Sequence, residues 1–358
     1  MAKGTTAFII DSENHKVLRS ANYNYMFDRK TGNFARWGKT REDDPQFGPF
    51  GPELMDIEIS TICKKACKWC YKSNTSKGTY MSFDTFKKLF AKFPKTLTQI
   101  AFGIGDIRGN PDIWKIMQYC RDNKIVPNVT INGDGITKSI AKKLVSVCGA
   151  IAVSDYGEVC YKTVKQLTDL GHTQINIHAL LCNETYDNCF KLIDDSISDK
   201  RLEKLNAMVF LWLKPKGKRN VFTPIKSLAK YKALVDYAFL NKARIGFDSC
   251  SASSFLKTIE DRVDYKQIAQ MVEPCESTLF SYYINVDGVG YPCSFTEGED
   301  GFKGINVLRC KDFVKGVWYN KETVKFRARN CKNCRQCQAF DLSVEEDIKG
   351  EDKVRVCK

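Results

Sequence analysis

The feature that most constrains this chain is a group of three cysteines within eight residues. Cys63, Cys67 and Cys70 follow Cys-x3-Cys-x2-Cys spacing, shortly after the apolar run 54–59, whose pattern is typical of a strand. One loop at the end of a strand can therefore present three thiolates. Iron-sulfur clusters in proteins are usually held by four thiolates. Three thiolates from one loop thus indicate a four-iron cluster with one iron left open to a substrate or cofactor.

Two other roles for this loop account for fewer of its cysteines. A disulfide uses two cysteines and leaves the third over. A structural zinc site needs a fourth ligand, and residues 63–70 contain no fourth Cys and no His. The spacing favours the cluster, with zinc and unliganded thiols as the open alternatives.

The loop resembles the motif of the radical S-adenosylmethionine (radical SAM) superfamily. The resemblance includes Trp69, directly before the third cysteine, and Tyr71 directly after it. It implies a [4Fe-4S] cluster on the three cysteines, with the amino and carboxylate groups of SAM on the open iron. Reductive cleavage of SAM would then yield a 5′-deoxyadenosyl radical. Trp69 and Tyr71 are accordingly expected at the cofactor site.

Length and composition set limits on the class of protein. At 358 residues the chain exceeds the usual size of one compact core, which favours a large domain with a smaller one. No run approaches the roughly 20 apolar residues of a membrane span, and the first residues do not have the pattern of a signal peptide. We therefore expect a cytoplasmic protein without membrane contact. Sixteen cysteines in such a protein argue against a disulfide scaffold.

The net charge of +14 is high enough to attract an acidic partner such as RNA, DNA or an acidic peptide. Scattered surface lysines are the commoner cause of such a charge. Nucleic acid is therefore a possible partner that the charge alone does not establish.

From residue 55 onward, short apolar runs alternate with amphipathic stretches. The runs span residues 55–59, 99–103, 128–131, 150–153, 174–181 and 207–213, and the helical stretches begin at Ser82, Pro111, Thr137 and Thr185. This alternation predicts a parallel sheet with right-handed crossovers. Six units are followed by one more helix and a strand at 244–247. The predicted fold class is α/β, a partial (β/α)6 TIM-like barrel, which is the core fold of the radical SAM superfamily.

The loop after the second strand resembles a SAM-binding segment of the family. Parallel α/β sheets bind ligands at the carboxyl ends of their strands. Gly105 and Asp106 lie there, in a stretch similar to the family's Gly-Gly-Glu-Pro motif. The chain departs from that motif, because Asp106 stands for Glu and Ile107 for Pro. The resemblance assigns Gly105 and Asp106 to the SAM site.

Further loops resemble family positions less closely. Asn132 ends the third strand as in the family's Thr-Asn-Gly, and Ser154 and Asp155 end the fourth strand similarly to its Ser-x-Asp. Pro215 follows the sixth strand, in a segment similar to the one that packs on adenine. The resemblance assigns these residues to SAM, while each alone also suits a helix cap or a turn. His178, within the fifth run, faces either the site or the core.

A second group of cysteines lies near the carboxyl end of the chain. Strand-like runs on either side of Asp287-Gly288 predict a hairpin across which Cys275 and Cys293 approach each other. Cys331 and Cys334 follow at Cys-x2-Cys spacing. Four thiolates in such pairs suit a zinc site or a fully ligated cluster equally well.

This group resembles the SPASM domain and the shorter twitch domain, which bind auxiliary [4Fe-4S] clusters. The resemblance implies a small C-terminal hairpin-plus-helix domain with one auxiliary cluster on Cys275, Cys293, Cys331 and Cys334. A second auxiliary cluster on Cys310, Cys337 and Cys357 stays open. Cys250, just past the last barrel strand, is a candidate hydrogen-atom donor or substrate contact, with an idle thiol as the alternative.

These expectations divide the chain into an N-terminal hairpin with its connector (1–53), a radical SAM barrel (54–250) and an auxiliary cluster domain (251–358). Related SPASM and twitch enzymes mostly crosslink or oxidise peptides and proteins, which makes a peptide or protein the expected substrate. Flavodoxin or ferredoxin is the expected kind of reductant. The alternatives are small-molecule dehydrogenation or nucleic-acid modification by the same radical chemistry, and a non-enzymatic, zinc-stapled binding protein.

Overall fold

The computed structural model describes residues 6–40 and 42–345, which form two sheets and the helices packed on them. The strands are β1 (Phe8–Asp11), β2 (His15–Arg19), β3 (Asn24–Asp28), β4 (Phe34–Trp37), β5 (Leu54–Ser60), β6 (Gln99–Ile104), β7 (Val126–Ile131), β8 (Ile151–Ser154), β9 (Ile175–Leu181), β10 (Ala207–Trp212), β11 (Ile245–Phe247), β12 (Ser281–Ile284), β13 (Val289–Tyr291) and β14 (Ile305–Asn306). The α-helices are α1 (Phe83–Phe90), α2 (Ile113–Asp122), α3 (Lys138–Val147), α4 (Glu158–Asp169), α5 (Tyr186–Ser198), α6 (Leu228–Leu240), α7 (Ala252–Thr258), α8 (Tyr265–Ala269) and α9 (Lys321–Lys332).

The large sheet is built around strands β5 to β11, which lie side by side in chain order and pair in parallel. Helices α1 to α6 follow the first six of these strands one by one. This is the predicted partial (β/α)6 barrel, and β11 is the predicted additional strand. The fold class read from the alternating runs is confirmed.

Local sequence explains why these elements form. In β5, Met55, Ile57 and Ile59 are fully buried against the helices, whereas the alternate positions face the inside of the barrel. At the predicted helix starts, the Ser82 side chain accepts a hydrogen bond from the backbone N–H of residue 85, and Thr137 does the same for residue 140. These caps satisfy backbone donors that the first helical turn leaves free.

The small sheet, β1 to β4, is antiparallel and packs at the amino end of the barrel. The sequence predicted its second hairpin, β3 and β4, but not β1 and β2. Lys16 Nζ donates to the carbonyl of Leu97 at 2.7 Å, and the Tyr25 hydroxyl donates to the carbonyl of Thr96 at 2.7 Å. Because these carbonyls lie just before β6, the small sheet covers the end of the barrel opposite to the cysteine loop.

The C-terminal part continues the barrel sheet. Strand β12 pairs in parallel with β5, and β13 and β14 extend the sheet in antiparallel fashion. Behind them, the Trp318 indole donates to the carbonyl of Gly48 at 2.8 Å. Cys293 lies two residues after β13, and β12 separates β13 from the strand that leads into the cysteine loop. Among residues 6–40 and 42–345, none of the helices has the length and apolar character needed to cross a membrane.

Candidate active site

The three-cysteine loop leaves β5 at the carboxyl end of the barrel. Its backbone is tied down on both sides, because the Cys63 N–H donates to the carbonyl of Thr75 at 2.8 Å and the Cys70 N–H donates to the carbonyl of Cys67 at 3.2 Å. Ala66 adopts a positive φ of 45°, which turns the chain sharply between the first two cysteines. Cys63 is buried and the other two cysteines are half-buried. All three border one cavity.

Gly105 and Asn132, both predicted for the cofactor site, lie directly against this loop. A Cβ atom added at Gly105 would stand 2.5 Å from the Cβ of Cys63, so only glycine allows the loop to approach β6 this closely. The Cys63 thiol donates to the Gly105 carbonyl at 3.4 Å, and Asn132 Nδ2 donates to the same carbonyl at 2.8 Å. The loops after the first three barrel strands are thereby joined.

The aromatic residues around the third cysteine form the wall of the loop. The ring of Trp69 is stacked between those of Tyr156 and Phe222, with centroid separations of 6.2 and 5.0 Å. The Tyr156 hydroxyl lies 3.1 Å from the sulfur of Cys67. Tyr156 was missed at the sequence level, although it directly follows the predicted pair Ser154 and Asp155.

The cavity below the loop has a volume of about 1090 Å³. Barrels of this kind are usually filled by branched apolar side chains. Here the inward positions of consecutive strands are small or polar, as in Ala101, Gly103, Thr130, Ala152 and Ser154. The barrel is hollow for that reason.

Most of the predicted site residues border this cavity. They are Cys63, Cys67, Trp69, Cys70, Tyr71, Gly105, Asn132, Ser154, Asp155 and Cys250. His178 borders it as well, beside the Thr130 hydroxyl at 3.5 Å. Burial lowers the pKa of His178 to about 4, so its ring is neutral at physiological pH.

Of the residues predicted for the cofactor site, two, Asp106 and Pro215, are not among the residues that border the cavity. The Asp106 carboxylate accepts hydrogen bonds from the backbone and guanidinium of Arg108, at 3.0 and 2.8 Å. Burial tends to raise the pKa of Asp106, but the Arg108 hydrogen bonds outweigh it and hold the pKa below its usual value. Beside Pro215, Lys214 borders the cavity and is ion-paired with Asp248.

A polar network lines the side of the cavity next to the C-terminal part. Lys72 Nζ lies 3.2 Å from a carboxylate oxygen of Glu58, contacts the Glu297 carboxylate and donates to the Tyr283 hydroxyl at 2.8 Å. Burial raises the pKa of Glu58 despite the attraction of Lys72. The members of this network come from β5, the cysteine loop, β12 and the chain after β13, so no local pattern in the sequence predicts it.

The donor set of the cysteine loop fits an iron-sulfur cluster better than a single metal ion. In residues 6–40 and 42–345, no three His, Cys, Asp or Glu side chains converge as ligands of one ion. A [4Fe-4S] cluster binds each thiolate through a different iron, so its ligands need not converge on one point. Burial raises the pKa of Cys67, and the nearby thiols of Cys70 and Cys63 raise it further. The three sulfurs are thus neighbours on the rim of an open cavity.

The C-terminal cysteines are grouped differently from the predicted set. The thiols of Cys250 and Cys337 contact each other, and this contact raises the pKa of Cys250 and lowers that of Cys337. Cys275 and Cys293 lie within electrostatic range of Cys250, and Cys293 also of Cys337. These four cysteines therefore lie in one region, where the barrel joins the hairpin, although among the described residues no three of them converge on a single ion.

The turn after α9 explains why Cys337 belongs to this group. Cys331 is exposed in the last turn of α9, and Cys334 is disulfide-bonded. Cys334 and Arg335 adopt positive φ values of 53° and 57°, which reverse the chain direction. Arg335 Nε then donates to the carbonyl of Cys275 at 3.0 Å. The reversal brings the following residues back to the hairpin.

A second auxiliary cluster would require Cys310 and Cys357 in addition to Cys337. Cys310 lies beside Lys92 and Gly316, and a Cβ atom at Gly316 would stand 2.8 Å from its sulfur. Cys357 lies outside the described residues.

Comparisons with known proteins rest on structure rather than sequence. No protein-family model and no curated protein sequence matches the chain. Streptococcus suis SuiB bound to precursor peptide SuiA matches with a TM-score of 0.66 and 14% identity, over 90% of this chain and 91% of that chain. SuiB bound to S-adenosylmethionine matches with a TM-score of 0.61 and 18% identity, over 81% and 71%. The structure of anSMEcpe with bound AdoMet and Cp18Cys peptide matches with a TM-score of 0.59 and 18% identity, over 81% and 88%.

These matches extend from the barrel into the C-terminal part, and at such identities they establish the fold. The partial barrel, the cysteine loop after its first strand and the hairpin that continues its sheet agree with the expectation drawn from the cysteine motif. The chain therefore shares the fold of SuiB and anSMEcpe.

Proposed function

We propose that the chain is a radical SAM enzyme that modifies a peptide or protein. The observation that carries this proposal is the position of the three-cysteine loop at the mouth of a hollow barrel. Cys63, Cys67 and Cys70 border the same cavity as the loops after the next three strands. A cofactor bound at the loop would therefore face a substrate held inside the barrel.

The residues around the loop suit the cofactors that the proposal requires. Cys63, Cys67 and Cys70 would hold a [4Fe-4S] cluster, and Asn132 and Ser154 would face SAM. Such a cluster supplies the electron that cleaves SAM to methionine and a 5′-deoxyadenosyl radical. Because Gly105 has no side chain, the cysteine loop can approach the end of β6 closely. The stacked ring of Trp69 covers one side of the loop.

Cavity size and the structural neighbours support a peptide substrate. Pockets for drug-sized ligands measure about 300–1000 Å³, and the cavity of about 1090 Å³ exceeds that range. It has space for a second ligand beside SAM. SuiB and anSMEcpe are both described in complexes with peptides. We infer that a peptide segment enters the barrel of this chain as well.

We propose that Cys250, Cys275, Cys293 and Cys337 bind one auxiliary [4Fe-4S] cluster. Two of these residues were predicted for that role, and the other two contact each other beside them. Three of these cysteines belong to the proposed auxiliary cluster domain, residues 251–358, and Cys250 lies at its boundary with the barrel. Flavodoxin or ferredoxin remains the proposed class of electron donor.

Anaerobic reconstitution tests the proposal. The dithionite-reduced protein should cleave SAM to 5′-deoxyadenosine, and it should contain about eight irons per chain. The variant with Cys63, Cys67 and Cys70 all changed to Ala should lose about four irons and all SAM cleavage. Cys331→Ala, at an exposed helical position, is the matched control and should behave as the parent protein. Zinc without iron in the purified chain, or SAM cleavage by the triple variant, would refute the proposal.

A further inference from the structure

The floor of the barrel cavity carries a carboxyl group with an unusual environment. Asp56 lies on β5 and borders the cavity together with Asn128 and Asn176. It precedes Ser60, the last residue of β5, by four positions, so it lies about 13 Å below the end of that strand at about 3.3 Å per residue. The cavity thus continues well below the cysteine loop.

Among the residues that the structure describes, none makes a hydrogen bond or an ion pair with the Asp56 side chain. The two neighbouring amide side chains form hydrogen bonds with other residues. Asn128 donates to the Gln99 side chain at 2.9 Å and accepts from the backbone N–H of residue 150 at 2.8 Å. The Asn176 side chain accepts from Asn206 at 2.9 Å. Glu58, the next inward carboxylate on β5, has Lys72 as its partner, whereas Asp56 has no comparable cation.

The balance of charges around the cavity is opposite to that of the whole chain. Its lining includes three ammonium groups, on Lys72, Lys191 and Lys214, and six carboxyl groups, on Asp56, Glu58, Asp155, Glu158, Asp195 and Asp248. The chain as a whole carries +14. An acidic cavity inside a basic protein favours the entry of a positively charged group.

The Asp56 side chain is half-buried and borders the cavity. A carboxyl group with limited access to water and no partner is costly, and a cation that forms charge-assisted hydrogen bonds reduces that cost. Burial raises the pKa of Asp56 to about 6, so the group is still mainly ionised near neutral pH. The neutral ring of His178, higher on the wall, does not supply the missing positive charge. A cation that pairs with Asp56 therefore comes from outside the described residues.

We propose that Asp56 binds a cationic nitrogen of the substrate, namely the ammonium group of a lysine side chain or the guanidinium group of an arginine side chain. This inference rests on the proposed function in one respect, because it takes the substrate to be a peptide that enters the barrel. It adds a specificity determinant at the floor, far from the cysteine loop. Asp56 would hold one basic side chain of the peptide and thereby set which neighbouring residue faces the radical.

Binding of short peptides to the reconstituted, SAM-loaded full chain tests the proposal. The probes are acetyl-Gly-Gly-Lys-Gly-Gly-amide, the same peptide with arginine, and the same peptide with norleucine, which has a similar shape to lysine but no charge. A hydrogen bond to a charged group is stronger than one between neutral groups, so at least one of the basic peptides should bind about tenfold more tightly than the norleucine peptide. The comparison of the lysine and arginine peptides identifies the preferred cation.

Variants assign the preference to Asp56. Asp56→Asn should bring the affinity for the basic peptide to within about twofold of that for the norleucine peptide. Asp169→Asn removes the same charge from the exposed end of α4 and should retain the full preference. If Asp56→Asn does not fold, as judged by far-ultraviolet circular dichroism, Asp56→Ser serves the same purpose. Equal affinity of the parent protein for all three peptides, or a preference that survives the change at Asp56, would overturn the inference.

Two measurements on the parent protein separate this inference from the proposed function. Cleavage of SAM with dithionite and without peptide tests the cysteine loop alone, whereas peptide binding requires no turnover. Preference for a basic peptide without SAM cleavage would contradict the proposed function and leave the Asp56 site standing. SAM cleavage without such a preference would support the proposed function and overturn the Asp56 site.

Discussion

The ring of Tyr71 lies 4.5 Å from the ring of Phe295, centroid to centroid. Tyr71 directly follows Cys70, and Phe295 follows Cys293 by two residues, so the two cysteine-bearing loops are in direct contact. The ion pair between Lys72 and Glu297 reinforces the contact. The position of the hairpin cysteines relative to the barrel loop is therefore set by side-chain packing as well as by sheet pairing.

Lys72 provides a direct test of this connection. Lys72→Met leaves the buried carboxylate of Glu58 without its cation, and breaking such a pair costs about 3 kcal/mol. We expect the free energy of unfolding, measured by anaerobic urea denaturation at pH 8, to fall by about that amount. The pKa of Glu58 is already raised by burial and should rise further without Lys72. Protonation of Glu58 should therefore reduce the loss as the pH is lowered to 5.5.

The double variant Lys72→Met with Glu58→Gln is the control for this prediction. It removes the charge on both sides and should recover most of the lost stability. A loss that is equal at both pH values and unchanged in the double variant would show that packing of the Lys72 side chain matters rather than its charge.

The variant Gly105→Ala tests whether the cysteine loop must lie close to the end of β6. The Cβ atom introduced by Gly105→Ala would lie 2.5 Å from the Cβ of Cys63 and 3.3 Å from its sulfur, so the loop must move. We expect SAM cleavage to fall at least tenfold, with a lower iron content after reconstitution. Gly246→Ala is the matched control in another barrel strand, where the nearest atom is 3.6 Å away. Comparable activity of the two variants would contradict the steric argument.

Iron content distinguishes the two possible sets of auxiliary ligands. Cys250→Ala and Cys337→Ala should each lower the iron content from about eight to about four per chain. The visible absorption of the remaining cluster and its SAM cleavage without peptide report on the barrel site independently. The ligand set predicted from spacing requires the same loss from Cys331→Ala, whereas the structure leads us to expect none. Loss of iron in Cys331→Ala but not in Cys250→Ala would favour the spacing over the structure.

Asp56 should make stability depend on pH in the absence of substrate. Burial raises its pKa from 3.8 to about 6, so the folded chain binds this proton more tightly than the unfolded chain does. The carboxyl group therefore lowers the stability of the parent protein as the pH rises through this window. Asp56→Asn should raise the free energy of unfolding at pH 7.5 by an amount on the order of 3 kcal/mol. The gain should shrink toward pH 4, and an equal gain at pH 4.5 and 7.5 would contradict this account.

The sequence predicted most accurately those parts that depend on local pattern. The alternation of apolar runs and capped helices identified the parallel strands, because burial of alternate strand positions and satisfaction of the first helical turn are encoded within a few residues. Cys63, Cys67 and Cys70 belong to one loop, so their spacing alone brought them together. Gly105, Asn132 and Ser154 were assigned to the cofactor site through their resemblance to family motifs at the ends of consecutive strands.

Residues that meet across the fold were harder to predict. Cys337 joins Cys250 only because the chain reverses direction after α9, through two residues in the left-handed region. Glu297 is far from Glu58 and Lys72 in the chain, and the parallel pairing of β12 with β5 brings it to them. Spacing carries no information about either event.

By itself, the sequence determined the fold class and the three-cysteine loop, since both rest on short-range periodicity and on ligands within eight residues. Only the tertiary structure decided which C-terminal cysteines meet, that the barrel is hollow, and that Asp56 at its floor has no partner among the described residues. Those properties depend on which side chains share a space once the sheet closes. Packing between segments that are distant in the chain decides which side chains share a space, and the local sequence pattern does not encode such packing.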